Sequence, residues 1–148
     1  VRLLLARDGA IEVESHPLSM SEDPVRVALA MEPVASNEPL LYHKTSRREI
    51  YERRAATRPD CEDVLLVNER GEVTESTIAN LVVEIDGERF TPPLACGLLP
   101  GVFRTELLRT GEIHERVLTP ADLRRPRRAT ALWLVNSVRK WRRAILVD

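Results

Sequence analysis

Lysine is rare in this sequence, which makes its two lysines candidates for amine chemistry. The 148-residue chain has 22 basic residues, of which only Lys44 and Lys140 are lysine. Arginine serves most ion-pairing roles but stays protonated in proteins, whereas a lysine amine can form a Schiff base with a carbonyl group. A lysine is also a common surface charge, so composition alone leaves both interpretations of Lys44 open.

Two further segments have residues suited to chemistry at a loop junction. Residues 73–80, Val-Thr-Glu-Ser-Thr-Ile-Ala-Asn, contain a carboxylate and an amide side chain. Residues 98–104, Leu-Leu-Pro-Gly-Val-Phe-Arg, place Pro-Gly before a predicted helix. A glycine there lets backbone amides at a helix N-terminus approach an anion closely. Taken alone, each segment is equally typical of an ordinary turn.

Together, the three positions contain what a pyridoxal phosphate (PLP) site requires. The cofactor needs an amine for its aldehyde, a carboxylate that keeps its pyridine nitrogen protonated, and amide donors for its phosphate. We predict that Lys44 supplies the amine, Glu75 the carboxylate, and the backbone of Gly101, Val102 and Phe103 the phosphate site.

The residues after Lys44 predict a helix that positions it. Residues 45–56 contain no glycine or proline, Thr45 or Ser46 is expected to cap the helix, and Glu49 completes a capping box. Lys44 is then expected where an extended segment enters this helix.

The remaining pattern predicts many short strands and few helices. Asp86-Gly87 is a strong signal for a hairpin turn. Helices are predicted at residues 102–109 and 119–122, and strands at 2–7, 11–15, 25–30, 63–68, 78–85, 89–92, 113–118, 129–135 and 144–147.

The composition is that of an ordinary globular protein. Hydrophobic residues make up 43% of the chain, charged residues 30%, and the net charge is −1. The longest apolar runs, such as residues 64–67, are far shorter than the roughly 20 residues that cross a bilayer. Cys61 and Cys96 lack the spacing of a metal site. We therefore predict a cytoplasmic protein with no metal, no membrane partner and no nucleic acid partner.

The order of the motifs resembles the class IV aminotransferase superfamily, the PLP enzymes of fold type IV. The resemblance spans about residues 40–140. It rests on residues 43–48 (HKTSRR), 73–80 (VTESTIAN) and 97–104 (GLLPGVFR). It implies an α/β (α+β) fold in which a pseudo-barrel of mixed strands is flanked by short helices.

The same resemblance implies a set of site residues. Lys44 is the implied catalytic residue, and Asn136 with Ser137 is implied to close the phosphate pocket. The implied cofactor-binding residues are Lys44, Arg48, Glu75, Asn80, Gly101, Val102, Phe103, Asn136 and Ser137. Two positions depart from the family pattern, because Arg47 stands where many lyases have asparagine and Phe103 replaces a common threonine.

Within the superfamily, the sequence most resembles 4-amino-4-deoxychorismate lyases. The similarity lies in Lys44 followed by Arg48 and in residues 136–139 (NSVR). It implies conversion of 4-amino-4-deoxychorismate to 4-aminobenzoate and pyruvate, in folate biosynthesis. The alternatives are a class IV aminotransferase acting on branched-chain or D-amino acids, or a catalytically silent truncated domain.

The resemblance also implies how the chain is organised. The superfamily has an N-terminal domain before the cofactor-binding domain, but only about 40 residues precede Lys44. Residues 1–148 are therefore expected to be a single C-terminal cofactor-binding domain without that N-terminal domain. The start at Val1 predicts a fusion to, or association with, an aminodeoxychorismate synthase component. A homodimer is also implied.

A basic cluster near the carboxyl end supports a different hypothesis, an anion- or nucleic-acid-binding module. Trp141 is available there for stacking on bases. The ordinary interpretation is a solvated charged face. The cluster consists of Arg124, Arg125, Arg127, Arg128, Arg139, Lys140, Arg142 and Arg143.

Overall fold

Short strands and short helices make up the computed structural model of the chain, which describes residues 1–18, 23–124 and 129–147. The α-helices in this part of the chain are α1 (Glu49–Ala55), α2 (Val102–Arg109) and α3 (Pro120–Leu123), and short 3-10 helices lie at Pro39–Leu41 and Leu94–Cys96. The strands are β1 (Arg2–Leu5), β2 (Ile11–Glu14), β3 (Val25–Leu29), β4 (Asp63–Val67), β5 (Val73–Ser76), β6 (Asn80–Ile85), β7 (Glu88–Thr91), β8 (His114–Glu115), β9 (Ala129–Asn136) and β10 (Lys140–Leu146).

Six of these strands close into a barrel. They pair in the order β5-β4-β3-β10-β9-β6, and a further pairing of β5 with β6 completes the ring. Strand β3 is parallel to both β4 and β10, while the other pairs around the ring are antiparallel. Strands β7 and β8 extend the sheet from β6, and β1 with β2 forms a separate hairpin. The predicted pseudo-barrel of mixed strands with short helices is confirmed.

Strands β4 and β6 of the barrel bury both of their faces. Along β6, Leu81 and Val83 point into the main core inside the barrel, whereas Val82 packs outward with Leu107 of α2. Side chains alternate between the two faces of a strand, so a strand covered on both sides has a continuous apolar sequence. Strand β4 follows the same rule, with Leu65 in the barrel core and Leu66 against the layer that contains α1.

The hairpin predicted at Asp86-Gly87 is confirmed. Strands β6 and β7 are antiparallel, with Ile85 opposite Glu88. Both turn residues have positive φ, 53° at Asp86 and 87° at Gly87. Two consecutive positive φ values suit the right-handed twist of a two-residue hairpin.

The predicted start of the first helix is wrong. Helix α1 begins at Glu49, and its N-cap residue is Arg48, which makes no capping hydrogen bond with its side chain. Thr45 caps a different turn, because its hydroxyl oxygen accepts a hydrogen bond from the backbone N–H of Arg47 at 3.1 Å. This local bond keeps residues 45–47 out of the helix. Lys44 therefore lies in an irregular segment and not at a helix boundary.

Strand boundaries also differ from the prediction, among them those of β6, β8 and β10. Strand β6 begins at Asn80 because Ser76 bonds with Ala79 and closes a turn before it. Strand β8 has only two residues, and β10 already begins at Lys140. In the described part of the chain, no helix has the length and apolar character needed to cross a membrane.

Candidate active site

A cleft of about 460 Å³ lies at one end of the barrel, where β5, β6, β9 and α2 begin or end. The structure brings every predicted site residue to its walls. The predicted residues that line it are Lys44, Arg48, Glu75, Asn80, Gly101, Val102, Phe103, Asn136 and Ser137. Their roles toward a cofactor remain predictions, but residues far apart in sequence share one cavity.

Of the two lysines, Lys44 lines this cleft, whereas Lys140 lies outside it. The Lys44 side chain is exposed, so its amine is accessible. The Lys140 ammonium instead lies over the ring of Phe103, 4.6 Å from the ring centroid. Lys44 is therefore the candidate for the reactive amine, whereas Lys140 is a surface cation packed on an aromatic ring.

Glu75 is the buried carboxylate of the cleft, with 3% of its surface exposed. Its Oε1 accepts hydrogen bonds from the Tyr51 hydroxyl at 2.9 Å and from the Leu99 backbone N–H at 3.2 Å. Its Oε2 accepts one from the Asn80 side-chain amide at 3.0 Å. A carboxylate held by three donors has a fixed orientation.

Burial raises the pKa of the Glu75 carboxyl from its ordinary 4.5 to about 8. The hydrogen bonds from Tyr51 and Leu99, and then the positive charges of Lys44 and Arg48, oppose this rise in pKa because they favour the ionised form. The buried Glu75 carboxyl of the cofactor-free chain therefore holds a proton more readily than an exposed carboxyl does. A titratable buried group in a cleft is typical of functional sites.

Tyr51 is a site residue that the sequence patterns did not reveal. It lies on α1, is 8% exposed, and its hydroxyl points to Glu75. Burial, followed by the nearby Glu75 charge, raises the pKa of Tyr51 above its ordinary value, so the phenol stays protonated. Arg48 and Tyr51 are three residues apart and hence share a face of α1. That spacing is the signal that could have identified Tyr51.

Arg48 is held by two contacts at the cleft wall. Its guanidinium donates a hydrogen bond to the Thr77 carbonyl and lies over the Tyr51 ring, 4.9 Å from the centroid. These contacts join the segment before α1 to the turn between β5 and β6. The positive charge of Arg48 also lowers the pKa of Glu75.

The amino terminus of α2 forms the opposite wall. Its N-cap residue is Gly101, and no side chain caps the first-turn amides. A Cβ atom at position 101 would overlap the side chain of Asn80. Asn80 is itself fixed, because its amide donates to Glu75 and to the Leu99 carbonyl at 2.9 Å. A helix start whose amides are uncapped and whose N-cap residue has no side chain is suited to bind a phosphate group.

Asn136 is the last residue of β9, and Ser137 lies in the turn that joins β9 to β10. The Asn136 side-chain oxygen accepts hydrogen bonds from the backbone N–H groups of Val138 at 3.0 Å and Arg139 at 2.8 Å. Asn136 therefore shapes the turn, while Ser137 presents an exposed side chain on the cleft wall.

Only part of the basic cluster falls in the described residues. Arg125, Arg127 and Arg128 lie outside the described part of the chain. Trp141 packs edge-on against Trp133, with ring centroids 5.8 Å apart, and against Phe103 at 6.3 Å. The Trp141 ring is thus part of the packing around α2.

A comparison with known families accounts for this arrangement. The sequence model of the family described as class IV amino-transferase matches residues 5–146. The chain belongs to the class IV aminotransferase family. The resemblance seen in the three sequence motifs is thereby confirmed, and solved structures of this fold include a PLP-bound form.

Similar proteins within the class IV aminotransferases have two kinds of name. A protein of Schizosaccharomyces pombe, provisionally named aminodeoxychorismate lyase, is 32% identical, and the match covers 99% of this chain and 66% of the relative. The crystal structure of a provisionally named amino-acid aminotransferase from Mesorhizobium loti is 40% identical with a TM-score of 0.86, and covers 98% of this chain and 71% of its own.

A third similar protein is a provisionally named 4-amino-4-deoxychorismate lyase from Legionella pneumophila. Its crystal structure is 27% identical with a TM-score of 0.81, and the match covers 91% of this chain and 52% of that one. This chain therefore spans only about half to 71% of the length of these three class IV relatives.

The cleft fits the cofactor of the class IV aminotransferases. Its volume of about 460 Å³ lies within the range of small-molecule pockets, about 300–1,000 Å³. The amine of Lys44, the fixed carboxylate of Glu75 and the uncapped start of α2 are the three groups that PLP requires, and all of them line this cleft.

Proposed function

We propose that this chain is the cofactor-binding part of a PLP-dependent lyase that converts 4-amino-4-deoxychorismate to 4-aminobenzoate and pyruvate, a step of folate biosynthesis. One observation carries the proposal: Lys44, Glu75 and the start of α2 surround a single cleft. The names of the yeast and Legionella relatives support the lyase reaction over other PLP chemistry.

Each wall of the cleft has a distinct task in this proposal. PLP, when bound, accepts the electrons released at the amino-bearing carbon of the substrate. Lys44 would hold the cofactor until the substrate amino group displaces it, and its free amine would then take the proton from that carbon. Glu75 would keep a proton on the pyridine nitrogen, and the first amides of α2 would hold the phosphate. The bond between the ring and the enolpyruvyl oxygen would then break, the proton would pass to that group, which leaves as pyruvate, and the ring would become aromatic.

Covalent labelling tests the role of Lys44. We expect the chain to develop a visible absorption band with PLP, and borohydride to fix the cofactor to Lys44 in a peptide map. Lys44→Ala should abolish the label. Lys140→Ala is the matched control, because Lys140 is the other lysine of the sequence and lies outside the cleft. Label on Lys140 alone, or none at all, would contradict the proposal.

A product assay then separates the lyase from the transaminase. With 4-amino-4-deoxychorismate as substrate and no amino acceptor present, a lyase releases pyruvate and 4-aminobenzoate. An amino-acid aminotransferase is the second candidate, favoured by the name of the 40% identical Mesorhizobium protein. That enzyme would release no pyruvate in this assay, and would instead convert its bound cofactor to the amine form with an amino acid donor.

Partners are part of the proposal. We propose that the chain acts as a homodimer and in association with, or fused to, an aminodeoxychorismate synthase component. The partial coverage of the relatives is consistent with a longer functional polypeptide. Sedimentation measurements of the chain, with and without PLP, test the dimer. A chain that binds PLP but does not turn over would support the catalytically silent alternative.

A further inference from the structure

The two oxygens of the Glu75 carboxylate have unequal numbers of hydrogen-bond donors. Oε1 accepts from both the Tyr51 hydroxyl and the Leu99 N–H, whereas Oε2 accepts from the Asn80 amide. A carboxylate oxygen usually accepts two hydrogen bonds. Oε1 is therefore saturated, and Oε2 keeps the capacity for one more donor. This asymmetry depends on Tyr51, which contributes a side-chain hydroxyl.

Tyr51 is itself held by contacts on two sides of its ring. Its ring packs in a buried cluster with Val34, Leu41 and Leu66, beneath the outer face of the barrel. The Arg48 guanidinium lies 4.9 Å from the ring centroid, on the side of the cleft. The phenol oxygen is thus fixed by packing that does not involve Glu75. A donor fixed in this way can impose an orientation on its acceptor.

We propose that Tyr51 is a positioning residue of this site, whose hydroxyl occupies Oε1 of Glu75 and so leaves Oε2 as the oxygen that would accept a hydrogen bond from the protonated ring nitrogen of the cofactor. This inference rests on the proposed function, because it assumes that Glu75 faces PLP. Tyr51 acts through Glu75 and does not itself contact reacting atoms. It also favours the ionised carboxylate over the protonated form, since it donates to Oε1.

The chain offers a matched pair of variants for the test. It has two tyrosines, and the hydroxyl of Tyr42 also donates one hydrogen bond, to the Ser36 carbonyl at 2.6 Å. Tyr42 does not line the cleft. Tyr51→Phe and Tyr42→Phe therefore each remove one hydroxyl donor, but only the first removes it from Glu75.

The first measurement uses the 148-residue chain without cofactor. The side-chain carboxyl of Glu75 is titrated by ¹³C NMR, with its signal assigned from Glu75→Gln. We expect Tyr51→Phe to raise the titration midpoint by about one pH unit or more, the usual value of a hydrogen bond to a charged group. Tyr42→Phe should leave the midpoint unchanged. An unchanged midpoint in Tyr51→Phe overturns the inference.

The second measurement uses the chain loaded with PLP. Tyr51→Phe should weaken cofactor binding by about tenfold, which corresponds to the loss of one hydrogen bond to a charge, and should shift the pH dependence of the visible band. Wild-type affinity and pH dependence in Tyr51→Phe would overturn the inference. If the unaltered chain binds no PLP, the proposed function fails instead, and the midpoint of Glu75 in the first measurement still decides whether Tyr51 governs this carboxylate.

A second substitution guards against a Tyr51→Phe chain that does not fold. In the Tyr42→Phe background, 3-fluorotyrosine incorporation alters Tyr51 alone and preserves its packing. The fluorinated phenol is more acidic and donates a stronger hydrogen bond, so the Glu75 midpoint should fall. A midpoint that does not fall overturns the inference.

Discussion

Gly101 lies so close to Asn80 that a Cβ atom at position 101 would overlap the side-chain oxygen of Asn80. Asn80 cannot easily move away, because its amide donates to both Glu75 and the Leu99 carbonyl. The backbone at Gly101 has φ −61° and ψ 135°, which any residue adopts. The glycine is therefore required by the space beside Asn80 and not by its own conformation.

Gly101→Ala is expected to destabilise the chain and distort the start of α2. The added methyl group must displace the Asn80 side chain and break at least one of its hydrogen bonds. Overpacking of this kind costs about 1–3 kcal/mol. Urea unfolding followed by circular dichroism measures this free energy. PLP binding should weaken in the same variant, because Asn80 also holds Glu75.

A double-mutant cycle checks the cause of that effect. In an Asn80→Ala background the side-chain oxygen is gone, so Gly101→Ala should then cost much less free energy of unfolding. An equal cost in both backgrounds would show that the methyl group disturbs something other than Asn80.

The stability of the chain without cofactor should fall as the pH rises toward 8. Burial raises the pKa of Glu75 from 4.5 to about 8, so at intermediate pH the folded chain holds a proton that the unfolded chain has released. A folded state that binds more protons loses stability as the pH rises, with a slope of at most about 1.4 kcal/mol per pH unit for one group. The stabilisation from Glu75 is complete below its ordinary pKa of 4.5 and is lost as the pH rises through its pKa in the folded chain, about 8. Urea unfolding at several pH values measures the slope.

Glu75→Gln should remove this slope, since glutamine does not titrate. Glu72→Gln is the control in the opposite direction. Hydrogen bonds from Arg70 and then Asn68 lower the pKa of Glu72 to about 2. The stability that Glu72 contributes to the folded chain is therefore complete above its ordinary pKa of 4.5 and is lost only in acid. A slope near neutral pH that survives in Glu75→Gln would mean that another group titrates there.

The site could be predicted largely because its chemistry needs particular residue types. In the proposed function, Lys44 must be a primary amine and Glu75 a carboxylate. In the structure, only glycine fits beside Asn80 at position 101. The order of the three motifs then indicated the family, and the family implied the barrel fold. These positions were recognisable in the sequence because each is constrained by its own chemical task.

The remaining parts depend on contacts that the local sequence does not contain. Helix α1 starts later than predicted because Thr45 bonds to the backbone of Arg47. The sequence pattern does not show whether the Thr45 hydroxyl makes this bond or caps the helix. The role of Tyr51 depends on Glu75, 24 residues away in sequence. Strand β10 extends to Lys140 because it pairs with Asn136 of β9, although its first residues are charged.

Arg48→Ala should loosen the turn between β5 and β6. The guanidinium of Arg48 donates to the Thr77 carbonyl and so joins this turn to the segment before α1. Hydrogen exchange at the backbone amides of Ile78 and Ala79 should become about tenfold faster in the variant, because one charged hydrogen bond no longer opposes local opening.

Arg47→Ala is the matched control for that measurement. Arg47 is the adjacent residue, exposed, and does not line the cleft. Its loss removes the same charge but should leave exchange at Ile78 and Ala79 unchanged. Similar acceleration in both variants would assign the effect to net charge and not to the bond with Thr77.

Two arginines of α2 should differ sharply in their effect on folding. Arg104 is 2% exposed, and its Nη2 donates to the Pro92 carbonyl at 2.7 Å and to Glu115 at 2.6 Å. Arg104→Ala removes the bonds that join α2 to the ends of β7 and β8, and leaves a buried carbonyl without a donor. We expect a loss of about 3 kcal/mol in the free energy of unfolding.

Arg109 is also paired, with Glu106 at 2.7 Å, but its side chain is 70% exposed. Water replaces that partner at little cost, so Arg109→Ala should unfold at the same urea concentration as the unaltered chain. Unfolding of both variants at the same urea concentration would contradict this prediction. The buried bonds of Arg104 would then contribute no more than a surface ion pair, and the position of α2 would depend on the packing of Leu107 against Val82.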